Sequence, residues 1–205
     1  MARHVRRLIL LAAGVAAAAM LLAGCDAPTQ GKPSFKAVDI TGADYAKELN
    51  LTDADGQRRR LEDFKGKVTV VFFGFTQCPD VCPTTLAELA QVKKSLGADG
   101  QRVQGVFVTI DPERDTADLL KAYVDNFGAD FVALRGTPEE TKAAAKNFKI
   151  FYNKAPGKTP TSYTVDHTAG SYVFDTQGRV RLFTRYGTGT EALASDLKIL
   201  LAEAG

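Results

Sequence analysis

The run Val68-Thr69-Val70-Val71-Phe72-Phe73 narrows the choice of folds more than any other segment of the chain. It is β-branched and aromatic without alternation, as expected of a strand buried on both faces. Such a strand belongs in an α/β layer structure, and the flanking signals agree. Leu49 to Leu61 reads as a hairpin turning at Asp55-Gly56, a favoured two-residue turn. Leu86, Leu89, Ala90, Lys93 and Leu96 mark one face of a helix ending at Gly97, and Val103 to Ile110 a second central strand. Thr116 to Phe127 follows as a helix and Phe131 to Leu134 as a third strand. Thr137-Pro138-Glu139-Glu140 opens a further helix with a cap, a first-turn proline and a capping-box glutamate. Tyr172 to Asp175 and Val180 to Arg185 form a hairpin around Gln177-Gly178, and Ala192 to Ala202 a last helix. That order is the order of a thioredoxin-like α/β fold carrying an N-terminal β-hairpin and an inserted helix at 138–148.

Residues 1–24 read as an export signal: Arg3, Arg6 and Arg7 precede the uncharged apolar stretch Leu8 to Ala23. That stretch ends in Leu22-Ala23-Gly24-Cys25, which resembles the cleavage box of bacterial lipoproteins, where Cys25 is lipidated and becomes the new N-terminus. The other reading is an uncleaved transmembrane anchor. Against it, the stretch is 16 alanine-rich residues, whereas a span needs about 20 well-apolar ones, and Cys25 would be left unexplained. A lipidated Cys25 predicts a domain held on the bacterial cell membrane through its anchor and facing the periplasm. Asp26 resembles the signal that keeps some lipoproteins in the inner membrane. Residues 25–36, with Pro28, Gly31 and Pro33, read as a lipidated tether, and 37–205 as one domain. Without the leader, 23 Lys and Arg face 24 Asp and Glu, and so balanced a surface gives no footing for nucleic acid.

Cys78-Pro79-Asp80-Val81-Cys82 stands directly behind the buried strand. A cysteine between a strand and a helix N-terminus is held toward thiolate, which is both nucleophile and metal ligand. Pro83 suits the first turn of that helix. A purely structural disulfide closing so short a loop would contribute only about 2 kcal/mol, which a domain of this length does not need. With Cys25 assigned to the anchor, the chain outside the leader has these two cysteines, one histidine (His167) and no methionine. A soft-metal site would therefore consist of two thiolates and one imidazole, a set that suits copper in either oxidation state. Thioredoxin-type oxidoreductases keep two residues between their cysteines, whereas here there are three, and no proline precedes the strand after His167. The proline-and-threonine signature of peroxiredoxins is also missing before both cysteines.

Three segments carry a family resemblance. Phe73-Gly74-Phe75-Thr76-Gln77-Cys78-Pro79-Asp80-Val81-Cys82-Pro83-Thr84-Thr85, Thr109-Ile110-Asp111-Pro112-Glu113-Arg114-Asp115 and Val165-Asp166-His167-Thr168 resemble the Sco/SenC copper chaperones. The resemblance runs from about residue 37 to 205. It implies one copper ion per chain on Cys78, Cys82 and His167, and a part in assembling the dinuclear CuA centre of cytochrome c oxidase. The partner would then be the oxidase subunit that carries CuA. The alternative is a thiol–disulfide oxidoreductase whose redox-active pair, Cys78 and Cys82, reduces cysteines of an oxidase subunit. Copper and a Cys78–Cys82 disulfide exclude each other, so an oxidising compartment calls for a thioredoxin-like reductant as a further partner.

Around this set, Asp166 is a candidate to orient the His167 ring. Asp111 and Asp115 are candidates to tune the site or hold a charged partner group, with a helix cap as the plainer role for Asp115. Phe151 to Thr164 has no periodicity and reads as a mobile flap or a docking surface. Its Phe151, Tyr152 and Tyr163 are either partner-facing aromatics or lid residues over the core.

Overall fold

In the computed structural model, which describes residues 34–157, 159 and 162–203, the 68–74 segment is a strand with partners on both edges. The leader 1–24, Cys25 and most of the 25–36 tether lie outside the described residues. The strands are β1 (Val38–Asp39), β2 (Asn50–Asp53), β3 (Arg58–Arg60), β4 (Val68–Gly74), β5 (Val103–Thr109), β6 (Val132–Arg135), β7 (Tyr152–Pro156), β8 (Tyr163–His167), β9 (Gly170–Phe174) and β10 (Val180–Arg185). The α-helices are α1 (Val81–Ser95), α2 (Ala117–Asp125), α3 (Pro138–Asn147) and α4 (Thr190–Ala202). Eight strands form one sheet in the order β1-β10-β9-β4-β5-β6-β2-β3. Strands β4, β5 and β6 are mutually parallel, and β9 pairs antiparallel with β4. This is a thioredoxin-like α/β fold, matching the expected order of elements.

All seven residues of β4 are buried, and so are all seven of β5, because helices cover both faces. Successive strand residues point to opposite faces. Phe72 meets Phe107 at 6.2 Å between ring centroids, and Phe107 meets Tyr123 of α2 at 5.4 Å. On the other face Phe73 meets Phe148, which follows α3, at 5.0 Å. Phe148 also packs on Tyr172 and Phe174, and the Tyr172 hydroxyl donates to its carbonyl. The hairpin β2–β3 turns through Gly56 at φ +83°, a value that suits glycine, and extends the sheet beyond β6. Helix α3 opens as its sequence predicts: the Thr137 hydroxyl accepts from Glu140 N, and the Glu140 carboxylate accepts from Thr137 N. Asp196, fully buried in α4, accepts the backbone N–H groups of Lys36 and Ala37 at 2.8 Å each, pinning the start of the domain to its last helix. No helix among the described residues is long and apolar enough to cross a membrane.

One element departs from the sequence reading. Residues 152–156 and 163–167 pair as an antiparallel hairpin, in register from Tyr152↔His167 to Pro156↔Tyr163, apart from the main sheet. Both strands are mostly exposed, with Val165 the one buried residue between them. With little to bury, Tyr152-Asn153-Lys154-Ala155-Pro156 shows neither alternation nor a β-branched run, so nothing in it signals a strand. Pro156 sits at the loop end of the ladder, where a lost donor matters least.

Candidate metal centre

The loop from Phe75 to Asp80 leaves the C-terminal edge of β4 and carries Cys78, while Cys82 lies in the first turn of α1. Cys78 is half-buried and Cys82 fully buried, both as free thiols. The Cys82 N–H points at Cys78 Sγ at 3.4 Å, so the helix N-terminus aims its first donors at that sulfur. Gly74 makes room for Cys82. A Cβ built there would stand 2.8 Å from Cys82 Sγ and 2.8 Å from the Phe107 ring, so no side chain fits at this position without moving the sulfur.

His167, the last residue of β8, reaches the pair from the hairpin. Its Nε2 lies 3.7 Å from Cys82 Sγ, and Nδ1 is 3.0 Å from the Thr168 carbonyl oxygen. Assigning the proton to Nδ1, where it donates to that carbonyl, leaves the Nε2 lone pair free as a donor to a metal. Phe72 and Phe75 hold the imidazole edge-on, each with its ring centroid 6.0 Å away. The ligand atoms of Cys78, Cys82 and His167 all lie within 4.8 Å of one another, the one such group among the described residues. Bonds of about 2.0–2.3 Å to one ion put two donors roughly 3.8 Å apart at an angle near 120°, so the 3.7 Å between sulfur and nitrogen suits a shared ion.

The sulfurs differ in acidity. The Cys78 thiolate accepts a hydrogen bond from the Cys82 thiol, and further ones from the backbone N–H groups of Cys82 and Asp80. Together these outweigh desolvation and bring Cys78 down to about 4. Cys82 is pushed up, because its thiol keeps its proton to donate a hydrogen bond to the Cys78 thiolate and because it is buried. Limiting iodoacetamide at pH 6 is therefore expected to modify Cys78 far ahead of Cys82, with a rate that has already levelled off above about pH 5. Peptide mass mapping checks this, and equal labelling of the two cysteines would contradict it.

The three aspartates singled out from the sequence occupy different places. Asp115 is fully buried and accepts from Thr76 N at 3.1 Å, Thr76 Oγ1 at 2.6 Å and Thr109 Oγ1 at 2.5 Å. It ties the cysteine loop to the end of β5, and the cap of α2 is Thr116 instead, which accepts from Leu119 N. Asp111, also buried, pairs with Arg114 Nε and accepts from the Tyr163 hydroxyl at 2.8 Å. Asp166 is exposed opposite Asn153 in the hairpin, and the His167 ring takes the Thr168 carbonyl as its partner. The sequence reading missed Arg114, Gly74 and the Thr168 carbonyl. The first two stand inside the quoted motifs, while a main-chain oxygen leaves no mark in a sequence.

Known proteins resemble this chain in sequence and fold. The mitochondrial SCO2 homologue of Mus musculus is 38% identical over 141 residues, which are 68% of this chain and 54% of that protein. The chain thus spans about half the length of that relative. Bradyrhizobium japonicum ScoI, solved with copper bound, is 38% identical with a TM-score of 0.67, covering 74% of this chain and 96% of that one. BsSco, a member of the Sco family of cytochrome c oxidase assembly proteins in which a disulfide switch was identified, is 25% identical. Its TM-score is 0.62, covering 80% of this chain and 98% of that one. A family model described as SCO1/SenC matches residues 38–202, most of the chain, and on that match the chain belongs to the SCO1/SenC family.

Proposed function

We propose that the protein binds one copper ion through Cys78, Cys82 and His167 and delivers it during assembly of the CuA centre of cytochrome c oxidase. The observation that carries this reading is the convergence of two sulfurs and one imidazole nitrogen within 4.8 Å, on a fold shared with a copper-bound relative. Soft thiolates with an imidazole favour copper by ligand type and by affinity order. The ion is cargo, and the chain's own groups prepare the exchange. Cys78 offers a thiolate at neutral pH, Cys82 gives up its proton as the ion arrives, and the Thr168 carbonyl holds the ring in the tautomer that presents Nε2.

The oxidase subunit that carries CuA is the proposed recipient. The anchor is a lipid on Cys25 in the bacterial inner membrane, with the domain on the periplasmic side. The leader supports that placement, and Cys25→Ser is its direct probe. To test the copper reading, the reduced full-length protein is loaded with copper, desalted and analysed for metal per chain. We expect one copper per chain, an intense thiolate charge-transfer band in the Cu(II) form, and loss of both in a Cys78→Ala, Cys82→Ala double variant. Two copper ions per chain, or copper kept by the double variant, would overturn the assignment.

A second reading, reduction of a partner disulfide, has its own support in the low-lying Cys78 thiolate. Cys78 sulfur would attack one sulfur of the partner's disulfide, breaking the S–S bond and releasing a partner thiolate. Cys82, once deprotonated, would then attack Cys78 in the mixed disulfide and release the second partner thiol. The pair ends oxidised by two electrons and the partner reduced by two. A thioredoxin-like reductant would be needed to restore the pair in either reading.

A further inference from the structure

Arg114 stands where the two halves of the site meet. One half, the loop with Cys78, is built on the main sheet, while the other, His167, hangs on a hairpin outside it. Apart from the contact of His167 with Cys82, every hydrogen bond or ion pair from the described hairpin strands to the rest of the domain ends on Asp111, Glu113 or Arg114. Arg114 takes the largest share. Its Nη1 donates to the Tyr163 carbonyl oxygen at 2.9 Å, and its guanidinium lies 3.6 Å from the centroid of the Tyr163 ring. The same Nη1 donates to Gln77 Oε1 at 3.1 Å, one residue before Cys78, and the guanidinium also faces Phe75, which flanks His167. Its Nε is locked on buried Asp111, which in turn accepts from the Tyr163 hydroxyl.

One guanidinium nitrogen, Nη2, is buried without a hydrogen-bond partner. Buried donors are nearly always paired, so this side chain is held in a place that does not fully satisfy it. A residue serving only to neutralise Asp111 would have no need of that place. A flat, five-donor group can stack on one ring while bridging two loops, and a lysine cannot.

We infer that Arg114 is a positioning residue that sets the reach of His167 to the cysteine sulfurs by clamping the histidine hairpin to the cysteine loop. This rests on the copper reading above and names the residue that makes its third ligand available. No hydrogen bond or ion pair joins Arg114 to either sulfur or to the imidazole, and it acts through Tyr163, Gln77 and Phe75.

The test is a double-mutant cycle on the full-length protein, with Cu(I) affinity measured against a chromophoric chelator. Arg114→Ala is expected to lower affinity about 10–100-fold, the range found for groups that orient metal ligands. In a His167→Ala background the same change is expected to cost no more than about twofold, because the group it positions is gone. Arg114→Lys keeps the charge beside Asp111 and is expected to recover thermal stability but not affinity. In the metal-free protein, ring-proton contacts of His167 with Phe72 and Phe75 are expected by NMR and should weaken in both Arg114 variants. Equal losses with and without His167, full recovery by lysine, or unchanged ring contacts would each overturn the inference. Failure of the unsubstituted protein to bind copper would instead strike the copper reading, and the metal-free ring contacts would still decide the role of Arg114.

Discussion

Replacing His167 with alanine is expected to lower copper affinity at least tenfold, about 1.4 kcal/mol or more, while disulfide exchange at Cys78 and Cys82 survives. Copper would lose one of three donors. The low pKa of Cys78 has the Cys82 thiol as its first cause, so the thiolate that carries exchange remains. The two activities therefore separate at a single residue. In cells, oxidase assembly at limiting copper should fail in the His167→Ala strain, although the purified variant still reduces a small disulfide. Normal oxidase activity in that strain would favour the reductase reading.

Oxidising Cys78 and Cys82 to a disulfide is expected to lower copper affinity by more than about a hundredfold. Loss of a group that merely orients a ligand costs about 10–100-fold, and here both sulfur ligands are lost at once. The sulfurs belong to a group whose donor atoms lie within 4.8 Å of one another, so closing the S–S bond at about 2.05 Å calls for a local adjustment only. Oxidation is verified by the absence of an alkylation mass shift, and copper is then titrated before and after a reductant is added. Undiminished binding by the oxidised protein would show that the sulfurs are not the ligands.

What the sequence disclosed and what it hid follow from burial. Strand β4 was legible because a strand covered on both faces must be apolar throughout, and helix α3 because Thr137, Pro138 and Glu140 each answer a backbone need at a helix start. The three donor residues stood out because the chain outside its leader offers so few soft ligands. The hairpin that holds His167 was not legible. Its residues are mostly exposed, and its pairing depends on contacts with Asp111, Glu113 and Arg114, roughly 40–50 positions earlier in the chain. Asp115 shows the same limit. A helix cap and an anchor for Thr76 and Thr109 are both reasonable roles for an aspartate before a helix, and only the fold chooses between them.

Gly74 gives the site a direction. Because strand β4 offers no side chain there, Cys82 sulfur sits within 2.8 Å of where a Cβ would stand and is fully buried, whereas Cys78 and His167 stay partly open to solvent. On the proposed delivery role, an incoming donor from a recipient would approach from the open side. Cys78 and His167 would then be the positions it displaces first, and Cys82 would be the last hold on the departing ion. Transfer would run as a stepwise swap of ligands across one face, with the buried sulfur as a hinge that keeps the ion from escaping between partners.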